Sequence, residues 1–263
     1  MRSLPVFFLL FATTSVHAQE GMIRYAGTQT VKMDLDALMA NMPGGMDLDS
    51  SMVEMIAAQM PEEGVTISMG WDVWFSEKTV LTKMVLPDFM QGMVDAVDTP
   101  GITPFTGGAS GVSSNMSQTT YYDYENGSSV QAFPSFMAEP YVVTSELQPM
   151  DWSVTDQDSS ILGYSVQRAT VGVDTLTAQA WFTPELASPA GPMTFGGLPG
   201  VILHLTAEFE SRGASMRLEF SADSISTELD TPVIPPAGTP ITRENYQAII
   251  EQRFKMMRQQ MQQ

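Results

Sequence analysis

The sequence predicts a mostly β protein: a single antiparallel curved sheet or open half-barrel, carrying short Met-rich helices and a C-terminal amphipathic helix. Three observations carry this reading. Apolar residues alternate with polar ones at Leu176, Ala178, Ala180 and Phe182, again from Val201 to Phe209, and again at Met216, Leu218, Phe220 and Ala222. A period of two turns one face of each strand to a core and the other to water, the habit of antiparallel sheets. Turn residues separate the runs, most plainly Asn126-Gly127, the pair a two-residue type I′ hairpin favours. Helical spacing, by contrast, is confined to a few short stretches.

The elements follow in chain order. Arg2, the apolar run Leu4 to Phe11 and the small-residue site Val16-His17-Ala18 have the layout of a signal peptide over residues 1–18. Cleavage there leaves Gln19 first and predicts a periplasmic or extracellular protein. Residues 22–32 read as the first strand of a β domain over 19–240. Leu35, Leu38, Met39 and Met42 then share one helical face that Asp34 can cap, and Pro43-Gly44-Gly45 ends it. Ser51 and Glu54 have capping-box spacing ahead of Met55, Ile56 and Met60, so 34–60 reads as a helical insertion. Strands follow over 66–75 and 79–86. Pro87 opens a further helix with Phe89, Met90, Met93, Val94 and Val97 on its apolar side. The uncharged Gly/Ser/Thr-rich stretch 99–117 reads as a long mobile loop. Strands are expected over 119–125, 129–133, 141–147, 164–173, 176–182, 201–209 and 216–222. The Pro-rich stretch 232–240 breaks the sheet. Tyr246, Ile249, Ile250, Phe254, Met257 and Met261 stripe a helix within 241–263, opened by Thr242.

Composition excludes several chemistries. Twelve Lys and Arg stand against 30 Asp and Glu, a net charge of −18, which repels nucleic acid and anionic lipid headgroups. With no Cys there is neither a disulfide nor a thiolate metal site. Of two His, only His204 lies beyond the signal peptide, so no metal or cofactor is expected. No later run of 18 apolar residues predicts a transmembrane helix. His204 shares a strand face with Ile202, Thr206 and Glu208 and has no nucleophile turn beside it, so it reads as an ordinary surface histidine. Carboxylate catalysis stays open, since glycoside hydrolysis needs only two acids placed by the fold. Asp34/Asp36, Asp47/Asp49 and Asp156/Asp158 are alternating pairs, yet none continues into a calcium loop.

The chain holds 21 Met. Thioether side chains fill irregular core gaps and also line adaptable grooves. Met39, Met52 and Met55 are therefore candidate ligand contacts, in a lid over an apolar concavity. Trp71 and Trp74, with Phe75, put aromatics on both faces of one strand. That suits a strand buried on both sides, or a platform for stacking sugar or peptide.

The run Gly196-Gly197-Leu198-Pro199-Gly200-Val201-Ile202-Leu203 resembles the signature of the GLPGLI family of exported Bacteroidetes-type proteins. Upstream, Ala180-Trp181-Phe182-Thr183-Pro184-Glu185, Gly191-Pro192, Phe195, Gly163-Tyr164, Arg168-Ala169-Thr170 and Trp152 fit the same pattern. The resemblance is specific from about Thr119 to Ala222. Val166 stands where many members carry a Cys. A looser similarity is to the bowl-like N-terminal domain of some bacterial peptide-N-glycosidases, which would imply an accessory binding domain. The resemblance implies a fold and an exported address, and no activity.

Physically, Trp181, Gly191, Pro192, Gly197, Leu198, Pro199 and Gly200 read as architecture. Pro199 presets the first central position of a type II turn, and Gly200 would supply the positive φ that follows. The spacing of a phosphate-binding loop is missing. Taken together, the sequence predicts a non-enzymatic binding or accessory protein of the cell envelope, with an apolar or extended ligand or an envelope protein as its partner. The alternatives are a carboxylate hydrolase acting on glycan or peptide, and a structural envelope protein.

Overall fold

A computed structural model describes residues 20–33, 63–85, 119–133, 140–211, 214–229 and 231–261. The strands are β1 (Gly21–Met33), β2 (Val65–Phe75), β3 (Thr79–Val85), β4 (Thr119–Asp123), β5 (Ser128–Phe133), β6 (Tyr141–Glu146), β7 (Ser153–Ile161), β8 (Tyr164–Val173), β9 (Leu176–Thr183), β10 (Val201–Ser211), β11 (Ala214–Ser226) and β12 (Thr239–Pro240). One helix, α1 (Arg243–Met261), completes the described elements. The expected signal peptide over 1–18, the expected helical insertion 34–60 with Met39, Met52 and Met55, the helix expected after Pro87 and the expected loop 99–117 lie outside the described residues.

All twelve strands form one open, curved sheet in the order β12-β6-β5-β4-β3-β2-β1-β11-β10-β9-β8-β7. The expected single curved antiparallel sheet is built from two meanders. One runs from β1 to β6, the other from β7 to β11, and β1 joins them by pairing with β11 from Met22↔Ser226 to Met33↔Ala214. The Pro-rich stretch does not simply end the sheet either, because Thr239 and Pro240 pair in parallel with Tyr141 and Val142.

This order demands curvature. β6 and β7 are consecutive in sequence and ten positions apart in the sheet. In a flat sheet they would stand ~48 Å apart, whereas the seven steps from Glu146 to Ser153 span at most ~25 Å. The link therefore crosses the concave side, and the sheet must curl to let it reach.

Alternation explains which side is concave. Across the register, Ala169, Ala180, Leu205 and Phe220 form one inward row, and Ala222, Tyr25 and Trp71 form the next. Nearly all are fully buried. Each large apolar side chain so removed from water contributes about 1.5–3 kcal/mol. The outward positions are polar: Arg24 pairs with Asp72 at 2.9 Å, and Arg217 with Glu208 at 2.9 Å.

Two local readings are corrected. β7 was not legible: it is an edge strand, exposed along nearly its whole length, with its register broken between Val154 and Asp158, so it carries no apolar alternation. The β4–β5 connection is longer than a two-residue turn. Tyr124 to Gly127 form the loop, and only Gly127 has positive φ (62°). Asp123 Oδ1 instead gathers the Glu125 and Asn126 N–H groups at 3.1 and 2.9 Å, and this holds its carboxyl below the usual range, chiefly through the Asn126 side-chain bond. Among the described residues, the concave face is covered by connections. Leu147 to Trp152 and the stretch from Pro184 to Gly200 lie in the bowl, with Leu186, Ala190, Phe195 and Leu198 joining the core. α1 is anchored at the sheet margin: Asn245 N–H donates to the Thr242 cap at 3.2 Å, and Tyr246 packs on Phe133 with ring centres 4.5 Å apart.

Candidate functional site

The motif segment spans the bowl from β9 to β4 and back into β10. Pro192 to Phe195 make a tight turn closed by Phe195 N–H to Pro192 O at 3.0 Å, with Met193 at φ 55°. An L-residue in the left-handed region stores about 1–2 kcal/mol, so the surroundings must hold Met193 there. Tyr122 on β4 does so, donating its hydroxyl to Met193 O at 3.1 Å. Trp152 Nε1 donates to Gly196 O at 3.0 Å, tying the other connection to the same segment. Gly197 N–H returns to Pro189 O at 3.0 Å, and Ile202 N–H to Ala190 O at 2.9 Å. Deeper still, Tyr25 donates to Ile202 O at 2.5 Å, next to the register shift between Ile202 and His204.

The glycines of the motif divide their roles differently from the expected type II turn. The positive φ belongs to Gly197 (85°), and Gly200 has none. Gly200 is small because a Cβ there would strike the Thr183 carbonyl and lie 2.9 Å from Pro184 Cα. The same close approach applies at Gly191 against Phe195. Pro192, Leu198 and Gly200 are buried, and Pro199 is exposed. Every one of these residues serves the plug that fills half the bowl. Trp181 does not: it lies on the outer face opposite His204 and Arg168.

Beside the plug, the other half of the bowl stays open as a cavity of about 390 Å³. Its floor is the inward face of β3 to β6: Thr82, Thr120, Ser129, Gln131 and Ser145. Tyr122, Met193 and Thr194 wall it on the plug side, and Leu147 and Met150 lie across it. Thr82 Oγ1 donates to Thr120 O at 3.3 Å. Burial pushes the Tyr122 phenol up to about 12, against hydrogen bonds with Thr120 and Thr82 that pull it the other way. At the mouth stands Arg243 of α1, 5.7 Å over the Phe133 ring and 3.4 Å from Gln131 Oε1.

The two tryptophans are separated by strand alternation. Trp71 faces inward, 3% exposed, edge-on to Phe220, and forms part of the cavity wall. Its buried indole Nε1 has no hydrogen-bond partner among the described residues. Trp74 faces outward at 7% exposure. Neither offers a free face, and of the two readings of this strand the burial fits a segment covered on both sides over Trp71 to Phe75. His204 takes the outward position its alternation gave, with Nδ1 2.9 Å from Ser221 Oγ. Asp156 and Asp158 lie on the exposed edge strand β7, while Asp34, Asp36, Asp47 and Asp49 lie outside the described residues. Among the described residues, Glu146 is the one carboxylate lining the cavity, and no three His, Asp or Glu gather as a metal site. No described helix is long and apolar enough to cross a membrane.

The floor residues Thr82, Thr120, Ser129, Gln131 and Ser145 were missed by sequence reasoning. Polar residues on alternate positions read as a solvent face. The signal that could have found them is parity, since Tyr122 and Tyr124 share a face with Thr120.

Comparison with known proteins adds three findings. A family model described as "Protein of unknown function (Porph_ging)" matches residues 167–204, a stretch that contains the Gly-Leu-Pro-Gly motif. No curated protein matches the sequence. Among solved structures, PNGF-II resembles the chain in two crystal forms, C2 and P21, each at 14% identity and a TM-score of 0.48 over 87% of this chain. The chain spans about a third of those proteins' length, 32% and 33%.

Proposed function

We propose that this chain is an exported binding or accessory protein of the cell envelope, of the GLPGLI type, that holds its ligand in the concave cavity beside the motif segment. The observation that carries the reading is the division of the bowl. One half is filled by a plug of well-bonded chain, and the other is left as a roughly 390 Å³ space within the size range of small-molecule sites. Ser129 and Gln131, with no sheet or plug residue packed over them, are held ready by strands whose own hydrogen bonds are already satisfied. Export is supported by the N-terminal pattern of residues 1–18. A paired-carboxylate hydrolase would need a second acid beside Glu146, and the described lining supplies none.

The test is native mass spectrometry of the protein recovered from the envelope fraction of cells that make it. The mature chain is expected to begin at Gln19 and to carry a non-covalent adduct. Ser129→Trp, which fills the cavity from its floor, should remove the adduct and leave the melting temperature unchanged. A chain that begins at Met1 contradicts export. A chain that carries no adduct, and takes none up from an envelope extract, contradicts binding.

A further inference from the structure

We propose that the cavity takes a neutral, hydroxyl-rich ligand of the oligosaccharide class, an inference that rests on reading the cavity as a binding site. Four observations about the described lining converge on it.

The first is charge. Arg243 and Glu146 are the charged lining residues, opposite in sign and both exposed. An anionic ligand would find one cation in a chain of net charge −18, and a cationic ligand one carboxylate. The second is the floor. Thr82, Thr120, Ser129, Gln131 and Ser145 present hydroxyl and amide groups, and an apolar ligand pressed on them would strip their hydration without replacing it. A polyhydroxylated ligand exchanges those bonds one for one.

The third is the backbone. β3, β4 and β5 each pair on both sides, so the backbone groups under Thr82, Thr120, Ser129 and Gln131 are spent, and an extended peptide could add only along β6 beyond Val142, where β12 stops. Over those four residues recognition must run through side chains. The fourth is Trp71. The residue belongs to the cavity wall, and its indole N–H is buried without a partner among the described residues. A buried donor left unpaired is costly, and a ligand hydroxyl or ring oxygen is an acceptor of the right kind.

The experiment titrates the full chain with four neutral tetrasaccharides (cello-, chito-, malto- and manno-), following the tryptophan indole N–H resonances. The Trp71 signal is identified by its loss in Trp71→Phe. At least one sugar should bind, move the Trp71 resonance downfield as its N–H gains an acceptor, and bind equally at low and high salt. Trp71→Phe should weaken it at least tenfold. Should that variant fail to fold, Gln131→Leu at a half-buried floor position should weaken it by the same order with an unchanged melting temperature. Three comparison probes are a heparin-type anionic tetrasaccharide, a neutral Ser/Asn tetrapeptide and the apolar dye 1-anilinonaphthalene-8-sulfonate. If one of these binds in a Gln131-dependent way and no neutral sugar does, the ligand class is overturned and the binding reading stands. If a sugar binds without moving the Trp71 resonance, the site is elsewhere and the inference fails. If no probe binds and the recovered protein carries no adduct, both fall.

Discussion

The two halves of the bowl use the same architecture to opposite ends. Around β8 to β11 and β1, inward positions are Ala, Val, Leu and Phe, and the motif segment presses on them until almost nothing inward is exposed. Around β3 to β6, inward Thr82, Thr120, Ser129, Gln131 and Ser145 stand beside the buried Val80, Tyr122 and Val143, and nothing described fills the space above the polar ones. Strand pairing is continuous through both, so hydrogen bonding does not separate them. Side-chain chemistry on one face does. The apolar half holds the fold. The polar half forgoes that burial, the trade expected where a surface is kept for a ligand.

Substitutions can break or sharpen this contrast. The largest effect is expected in the apolar half. Phe220→Ala removes a fully buried ring that meets Trp71 edge-on, and should cost about 3–5 kcal/mol in urea unfolding. A cost below 1 kcal/mol would mean the two halves are not energetically distinct.

Alkaline pH should act next, at the seam. An unfolded tyrosine ionises near its ordinary value of 10.0, while folded Tyr122 keeps its proton until about 12. Between those values the unfolded chain has already released the proton that the folded chain retains. The stabilisation is therefore intact below pH 10 and lost as pH rises toward 12, by on the order of 2 kcal/mol. Burial raises Tyr25 and Tyr124 as well, so they act in the same direction. Tyr122→Phe should flatten the slope of stability between pH 10 and 12, and an unchanged slope would remove Tyr122 from the account.

The motif glycines give smaller and unequal costs. Gly200→Ala sets a Cβ into the Thr183 backbone and should cost about 2 kcal/mol. Gly197→Ala meets only Tyr124 Cε1, in ordinary contact at 3.8 Å, but must hold φ 85°, for about 1 kcal/mol. The reverse ranking would restore the type II turn. Smallest of all, Ser129→Ala on the cavity floor should change stability by less than about 0.5 kcal/mol.

What the sequence disclosed follows from where alternation is clean. β8 to β11 were readable because their inward rows are apolar and their outward rows carry Gln179, Glu208, Arg217 and Glu219. The capping Thr242 marked the start of α1 correctly. β7 escaped because an exposed edge strand has no face to betray it. The β1–β11 joint escaped because pairing between distant strands leaves no local trace. The cavity floor was hidden for a subtler reason. In β4 both faces carry Thr and Tyr, so composition cannot say which points inward until the register with Val80 and Thr82 decides it. Of the motif residues that read as architecture, all but the outward-facing Trp181 lie in the plug, with the positive φ at Gly197 and not at Gly200.

One measurement bears most directly on the division between a half that stabilises and a half kept open: urea unfolding of the triple variant Ser129→Val, Gln131→Leu and Ser145→Val. If the polar floor exists for a ligand, apolar replacements should leave the unfolding midpoint unchanged or raise it, because they add burial against Leu147 and Met150. If those side chains instead hold the sheet together, the midpoint will fall by an amount worth more than about 1 kcal/mol, and the polar half will be structural after all.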